Sequence, residues 1–324
     1  MLSIPTISVQ ADSLAEAWEK SMIELYNNGV PLKTEYDKKE DPPSKDSTAI
    51  ITINKPMTDP MIHRDFPGGF EDLQEYVMEV RDGIKDHLVR DQNDPEDKRW
   101  QYTYSERLFK YSTKNIPVKI LCNECENGVI KKHDGRNLIS TTTCDNCNSK
   151  GYIEGNTFQP DIFNQIEIMC KKLAECPYTR RAQAITWKVW EDNFISDPAC
   201  LQSIHCRCLV DEDGVWWLNM NVRMRSNDAY KAAFMNMFAF IHLQKYIAKR
   251  VSELSGKEVK LGRYVHMADS YHLYGSYFKE FEGRFLKNYK EREFEDRVFN
   301  YEDVKDIMDE SIPKIMEKVE KWGK

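Results

Sequence analysis

The sequence predicts an α+β protein, and three observations carry the prediction. Apolar stripes with helical period and short strand-like runs both occur along the chain. No internal repeat organises them. One segment, residues 119–154, breaks the pattern with paired cysteines and alone looks separable.

Residues 13–27 carry Leu14, Trp18, Met22 and Leu25 on one helical stripe. A polar loop with two prolines follows at residues 38–44, and residues 48–54 (TAIITIN) read as a strand. HRDFPGG, residues 63–69, reads as a loop, residues 70–88 as a helix, and the charged run 91–98 with its Pro95 as exposed. Beyond the cysteine segment, residues 159–175 read as a helix and 182–189, 201–209 and 215–224 as strands. A long apolar helix is expected over 229–253 and a charged one around 304–319.

A chain of 324 residues has room for one large domain or two ordinary ones. With 41% hydrophobic and 31% charged residues its composition is that of a polar-surfaced globular protein. A net charge of −7 gives no general attraction to nucleic acid or anionic membrane, so a site for an anionic substrate must be made by a few placed arginines. The N-terminal residues lack a basic start followed by an apolar core, and no apolar run reaches membrane-spanning length; a cytoplasmic protein is expected.

Four of the nine cysteines form two C-x-x-C pairs, Cys122/Cys125 and Cys144/Cys147. In a reducing compartment such pairs read as a metal site, because two thiolate turns supply the four sulfurs of a tetrahedral Zn²⁺ centre. Gly128 and Gly151 suit the tight turns that follow. The plain alternative is four incidental thiols. Five Lys/Arg (Lys119, Lys131, Lys132, Arg136, Lys150) face five acids (Glu124, Glu126, Asp134, Asp145, Glu154) in this segment. Four thiolates and one zinc ion make it acidic, which argues against nucleic acid and for a structural or protein-contacting role.

The remaining candidates are polar residues in unusual settings. Arg180-Arg181 can present two guanidinium groups to a phosphate, although most such pairs are solvated surface. Cys200, after Asp197-Pro198-Ala199, is a nucleophile only if a cation favours its thiolate; otherwise it is a small buried hydrophobe, as Cys206 and Cys208 on the next strand look to be. Asn236 sits inside an apolar helix and needs a partner, either core backbone or a ligand. Its amide matches the O4 and N3–H edge of uracil. His272 and Tyr274 share one side of an extended segment and can reach a sugar hydroxyl.

The order of these motifs resembles the thymidylate synthases: Arg-Arg, then Pro-x-Cys, then Arg225-Ser226-Asn227-Asp228 with Asn236 eleven residues after that arginine, then His-x-Tyr. The likeness is clearest over residues 178–277 and extends to Tyr102-Thr103-Tyr104-Ser105-Glu106-Arg107-Leu108. HRDFPGG and YTYSERL are more similar to the compact archaeal-type branch. The resemblance implies an α+β fold with a large mixed β-sheet flanked by helices, spanning residues 1–324 with a zinc-ribbon-like module inserted at 119–154. It implies an obligate homodimer whose sites are shared across a back-to-back sheet interface, with Arg180 and Arg181 crossing to the other subunit's phosphate. Cys200 would add to C6 of dUMP, with Arg225 favouring thiolate and joining Ser226 on the phosphate. Asn236 would read uracil, His272 and Tyr274 would hold the 3′-hydroxyl, Asp228 would orient base and cofactor, and Tyr104 would assist proton movement at C5. The one-carbon donor would be 5,10-methylenetetrahydrofolate or a methanopterin analogue, with dTMP as product.

Departures from the family pattern are specific. Leu201 stands where a histidine often follows the cysteine. Lys45 occupies the place of an expected phosphate-loop arginine; Glu75 and Glu79 both suit the water-ordering glutamate; Trp100 or Trp187 would have to stack on the pterin. The cysteine segment is an insertion, and the tail Lys321-Trp322-Gly323-Lys324 replaces an apolar terminus. Cytosine-specific hydroxymethylases resemble synthases with aspartate at the Asn236 position, so the amide favours uracil. Two other readings stand beside the synthase: a dUMP or, with less support, dCMP hydroxymethylase, and a catalytically silent scaffold whose zinc module binds a partner.

Overall fold

Strand-forming sequence in both halves of the chain meets in one seven-stranded mixed sheet. The computed structural model describes residues 3–35, 37–91, 94, 96–113, 119–134, 137–154 and 162–322. It separates into two compact units, Met1–Tyr111 with Asn164–Lys324, and Ser112–Phe163.

In the larger unit the strands are β1 (Thr6–Ala11), β2 (Val30–Leu32), β3 (Ser44–Ile53), β4 (Gln183–Ile185), β5 (Leu201–Val210), β6 (Trp216–Asp228) and β7 (Val259–Leu273). They are ordered β1-β3-β7-β6-β5-β4, with β2 also on β3. The β1–β3 and β6–β7 pairs are parallel and the others antiparallel. Alternation along each strand separates two faces. Leu201, Ile204, Cys206 and Cys208 of β5, with Leu218, Met220, Val222 and Met224 of β6, point into the core. Ile50, Ile185, Leu209, Trp217 and Arg223 stand exposed on the strands.

The helices are α1 (Leu14–Asn28), α2 (Phe70–Asp82), α3 (Tyr104–Phe109), α4 (Gln165–Glu175), α5 (Ala233–Ser255), α6 (Tyr301–Glu310) and α7 (Ile312–Trp322). Ser13 caps α1 by accepting the Glu16 N–H, and Trp18, fully buried, donates its indole N–H to the Ala229 carbonyl at 2.9 Å. That bond ties α1 to the turn between β6 and α5. Removing so large a buried side chain costs about 3–5 kcal/mol.

Several boundaries differ from the sequence reading for local reasons. The helix expected over 70–88 stops at Asp82, because Gly83 takes a left-handed conformation (φ 67°). The strand expected over 182–189 is three residues long; Thr186, Trp187 and Lys188 leave the sheet for a loop held by buried charges. Strand β6 runs on to Asp228 and the apolar helix begins only at Ala233. The C-terminal helix is two helices, broken at Ser311 before Pro313. Helix α4 starts at Gln165 behind the Asn164 cap, and the expected start at Gln159 lies outside the described residues. Strands β1 and most of β7 were not anticipated.

In the smaller unit two hairpin-like ladders, Lys119–Leu121 with Tyr152–Glu154 and Val129–Asp134 with Asn137–Thr143, surround the cysteines. The last strand is exposed along its whole length. Arg136, counted above among the module's cations, lies outside the described residues.

Candidate active site and metal centre

Cys200 ends the loop that enters β5, and buried charge holds that loop. Arg107 of α3, fully buried, donates to the Thr186 carbonyl (3.2 Å), Asp192 (3.2 Å) and Glu191 (2.8 Å). Asp192 in turn accepts the Lys188 N–H at 2.5 Å and the Ala199 N–H at 3.4 Å. From β6, Arg225 donates its side chain to the Ala199 (3.1 Å) and Pro198 (2.5 Å) carbonyls and its backbone N–H to the Cys200 carbonyl (2.8 Å). The Cys200 N–H donates to the Tyr102 hydroxyl at 3.4 Å. Burial pushes the thiol's pKa up and Asp197 adds to the rise; the Arg225 charge opposes them without winning. Cys200 therefore rests as a thiol at neutral pH.

Helices α2 and α5 pack on each other. Tyr76 donates to Asn236 Oδ1 at 2.5 Å, and Asn236 is buried. Tyr76, Glu79, Trp100, Tyr102, Tyr104 and Asp197 line one cavity of about 390 Å³. Tyr76 and Glu79 share a helix face at i, i+3. Tyr104 packs on Phe240 and Tyr102, and burial holds its pKa well above the ordinary phenol value. Both glutamate candidates meet Lys85, at 2.6 Å from Glu75 and 2.8 Å from Glu79. Glu75 also binds Lys318; burial raises its pKa, but the two lysines outweigh burial and leave it lowered. Burial wins at Glu79, whose pKa is raised, and only Glu79 lines the cavity. Trp100 stands on the cavity rim, 41% exposed, whereas Trp187 is half-buried and its carbonyl accepts the Tyr111 hydroxyl.

The C-terminal ends of β6 and β7 place the other candidates side by side: Ser226 opposite Ser270 and Asp228 opposite His272. Asp228 accepts the Tyr230 and Lys231 N–H groups at 3.0 Å, yet burial lifts its pKa to about 6. Ser270 donates to Asp46 at 2.6 Å and lies 3.2 Å from His272 Nδ1. Burial lowers the His272 pKa to about 4, so the ring is neutral, and its buried Nε2 has no partner among the described residues. The His272 and Tyr274 rings meet edge-on at 4.7 Å. Lys45 reaches over the Tyr26 ring, 6.0 Å from its centroid. Arg180 and Arg181 are exposed, and their guanidinium groups make no hydrogen bond to a described residue. Within one chain they do not join the cluster around Cys200.

Tyr76 and Tyr102 are the site residues that the sequence reading passed over. Their signals are the i, i+3 spacing of Tyr76 to Glu79 and the doubled tyrosine of YTY, in which Tyr102 rather than Tyr104 meets the Cys200 backbone.

A sequence model of the thymidylate synthase family matches residues 102–315. The chain belongs to the thymidylate synthase family. The match covers the loop of Cys200, β4 to β7 and every candidate from Tyr102 to Tyr274. Among curated relatives, a protein named "Putative thymidylate synthase" from Methanocaldococcus jannaschii is 24% identical over 274 residues, 83% of this chain and 90% of its own length. One of the same name from Methanopyrus kandleri is 32% identical over 87 residues, 27% of this chain and 40% of that one. Both are archaeal, as the HRDFPGG and YTYSERL runs led us to expect. The thermostable thymidylate synthase A of Bacillus subtilis has a similar fold, with a TM-score of 0.50, 16% identity and 83% of each chain covered.

In the smaller unit, Cys122, Cys125, Cys144 and Cys147 place four sulfurs within 4.8 Å of one another, with Cys122–Cys144 at 3.8 Å and Cys125–Cys147 at 3.5 Å. Tetrahedral Zn–S bonds of ~2.3 Å require sulfur separations of about 3.8 Å, so the donor set fits zinc. Left-handed residues follow each pair: Asn127 and Gly128 after the first, Asn148, Ser149 and Gly151 after the second. The Gly151 N–H points at Cys147 Sγ, 3.3 Å away.

Proposed function

We propose that this chain is a dUMP-methylating thymidylate synthase with Cys200 as nucleophile. The observation that carries the reading is the setting of Cys200: its backbone bonds Arg225 and Tyr102, and Tyr102 lines a cavity together with Tyr76, the partner of Asn236. As Cys200 Sγ bonds to C6 of the base, the thiol proton leaves and the C5–C6 electron pair moves toward O4, making C5 nucleophilic. Asn236 Nδ2 donates to O4 and steadies the enolate charge, while Asn236 Oδ1 accepts N3–H. Arg225 lies next to Ser226 on β6, and the two bind the phosphate. His272 Nε2, an orphaned acceptor among the described residues, accepts a hydrogen bond from the sugar hydroxyl, with Tyr274 beside it. Asp228 orients the base.

The cavity and the exposed face of Trp100 fit a reduced pterin, which when bound supplies the one-carbon unit and the hydride; folate is the default form and a methanopterin the alternative. Glu79, uncharged more readily than an ordinary glutamate, holds water beside the base. Tyr102 and Tyr104 assist removal of the C5 proton, and departure of the Cys200 thiolate from C6 closes the cycle. Arg180 and Arg181 act on a partner subunit's phosphate in a homodimer formed through the open sheet face, where Ile50, Ile185, Leu209 and Trp217 lie exposed. Zinc at the four paired cysteines is structural.

The test is product analysis. Protein given dUMP and methylenetetrahydrofolate should yield dTMP and dihydrofolate, and Cys200→Ser should lower the rate by roughly 10³-fold or more while the protein stays folded. A hydroxymethyl product with tetrahydrofolate released would replace this reading by the hydroxymethylase. Failure of 5-fluoro-dUMP to form a pterin-dependent adduct on Cys200 would remove the nucleophile.

A further inference from the structure

An amide side chain can face a ligand with either end, and the two ends demand opposite partners. In Asn236 that choice is already made. The Tyr76 hydroxyl lies 2.5 Å from Oδ1, a separation proper to O–H···O bonds and shorter than N–H···O bonds. The hydroxyl therefore donates and the carbonyl end of the amide is the end it holds. Asn236 Nδ2 makes no hydrogen bond to a described residue, and the Tyr76 hydroxyl makes no second one. Tyr76 also lines the cavity beside Tyr102 and Tyr104.

We infer that Tyr76 is the specificity lock of the base site: by holding Asn236 Oδ1 it turns Nδ2 toward the pyrimidine and selects a carbonyl over an amino group at C4. The inference rests on the reading of Asn236 as the residue that contacts the base. With Nδ2 presented, uracil O4 accepts from it and N3–H finds the second lone pair of Oδ1. Cytosine offers an N4 amino group and an unprotonated N3, so donor meets donor and acceptor meets acceptor. Turning the amide over to suit cytosine would point Nδ2 at Tyr76 and force its hydroxyl to accept, leaving the O–H proton buried without a partner. A site with such a penalty rejects the wrong base strongly, because the mismatch leaves buried polar groups unpaired. In the family resemblance aspartate replaces the amide for cytosine; here the same selection is placed one residue further out, in the side chain that orients the amide.

Tyr76→Phe keeps the ring and removes only the hydroxyl. We would titrate the full chain, wild type and Tyr76→Phe, with dUMP and with dCMP in a calorimeter. The expected result is a fall of at least tenfold in the dUMP-to-dCMP affinity ratio, equivalent to about 1.4 kcal/mol, with dCMP binding improved. Equal loss for both nucleotides, or an unchanged ratio, would overturn the lock and leave Tyr76 as packing. Should wild type bind neither nucleotide, the reading of Asn236 as a base contact falls. The lock is then judged in the nucleotide-free protein, by the Asn236 side-chain amide resonances. Slow interchange of the two Nδ2 protons in wild type and faster interchange in Tyr76→Phe supports it, and identical rates refute it. If Tyr76→Phe does not fold, the wild-type Tyr76 hydroxyl proton decides: a downfield, slowly exchanging resonance supports the bond, and a rapidly exchanging one overturns it.

Discussion

The two units of this chain are held together by different means. The sheet unit buries a continuous apolar core that includes Trp18, Phe234, Phe238, Phe240, Tyr264 and Phe285, and pairs buried arginines with carboxylates, Arg107 with Glu191 and Asp192 and Arg297 with Glu19. Among its described residues the cysteine unit buries little besides Cys122, Cys144 and Cys147, with Cys125 and Ile130 packed on them, and its 137–143 strand is exposed throughout. A segment of that size cannot offset the chain entropy of folding with so small an apolar core. On the proposed reading a bound zinc ion does it. One polypeptide then contains a region whose order is set by composition and another whose order is conditional on a ligand.

Metal removal tests the comparison most directly. Structural zinc in small modules is worth about 10–16 kcal/mol at pH 7. A strong chelator should therefore abolish amide protection in residues 119–134 and 137–154 while the seven-stranded sheet keeps its own. Unchanged protection in the module would show that the sulfurs are not its organising centre. The next largest effect belongs to the interior of the sheet unit. Arg107→Met leaves Glu191 and Asp192 buried without their cation and should cost about 3–5 kcal/mol in denaturant unfolding. It should also lower activity by loosening the Ala199–Cys200 loop. A stability loss under 1 kcal/mol would mean that the carboxylates find water.

Gly128→Ala sharpens the same division from the other side. A Cβ there would collide with the Ser149 carbonyl oxygen, on a backbone with φ 86°. The backbone conformation alone costs roughly 1–3 kcal/mol. The loss should appear as weaker metal affinity, read by competition with a chromophoric chelator, with the sheet unit's melting unaffected. The smallest effect is at Asp228. Its folded pKa of about 6 lies above the unfolded value of 3.8, so its contribution to stability is complete below pH 3.8 and is lost as pH rises to about 6. Asp228→Asn keeps an acceptor for the two backbone N–H groups and should gain roughly 1–2 kcal/mol at pH 7, less than the full shift carries because the half-buried side chain keeps some contact with solvent. The gain should vanish near pH 4. Equal gain at both pH values would mean that the carboxylate charge is not its source.

Much of the candidate site was legible because its residues are polar in apolar surroundings. Asn236 inside a buried helix, the Arg225 to Asp228 run and the His272–Tyr274 pair all announce themselves that way. Tyr76 and Arg107 did not. An amphipathic helix is expected to carry a tyrosine, and an arginine after Glu106 looks like surface charge; only the packing of α2 on α5 and of α3 on the 186–200 loop gives them their partners. The choice between Glu75 and Glu79 was likewise closed to sequence, since both lie near one helix face and differ only in what Lys318 and the cavity bring to them.

By itself the sequence determined the local periods, the tight turns at Gly128 and Gly151 and the spacing of four zinc-competent sulfurs. These depend on residues a few positions apart, where backbone geometry fixes the outcome. Tertiary structure alone decided that β7 runs unbroken from Val259 to Leu273, that Tyr102 rather than Tyr104 meets Cys200, and that Tyr76 holds Asn236 by its oxygen. Each of those depends on partners distant in sequence, as β3 is from β7 and Tyr76 is from Asn236, brought within hydrogen-bond distance by the burial of a shared core.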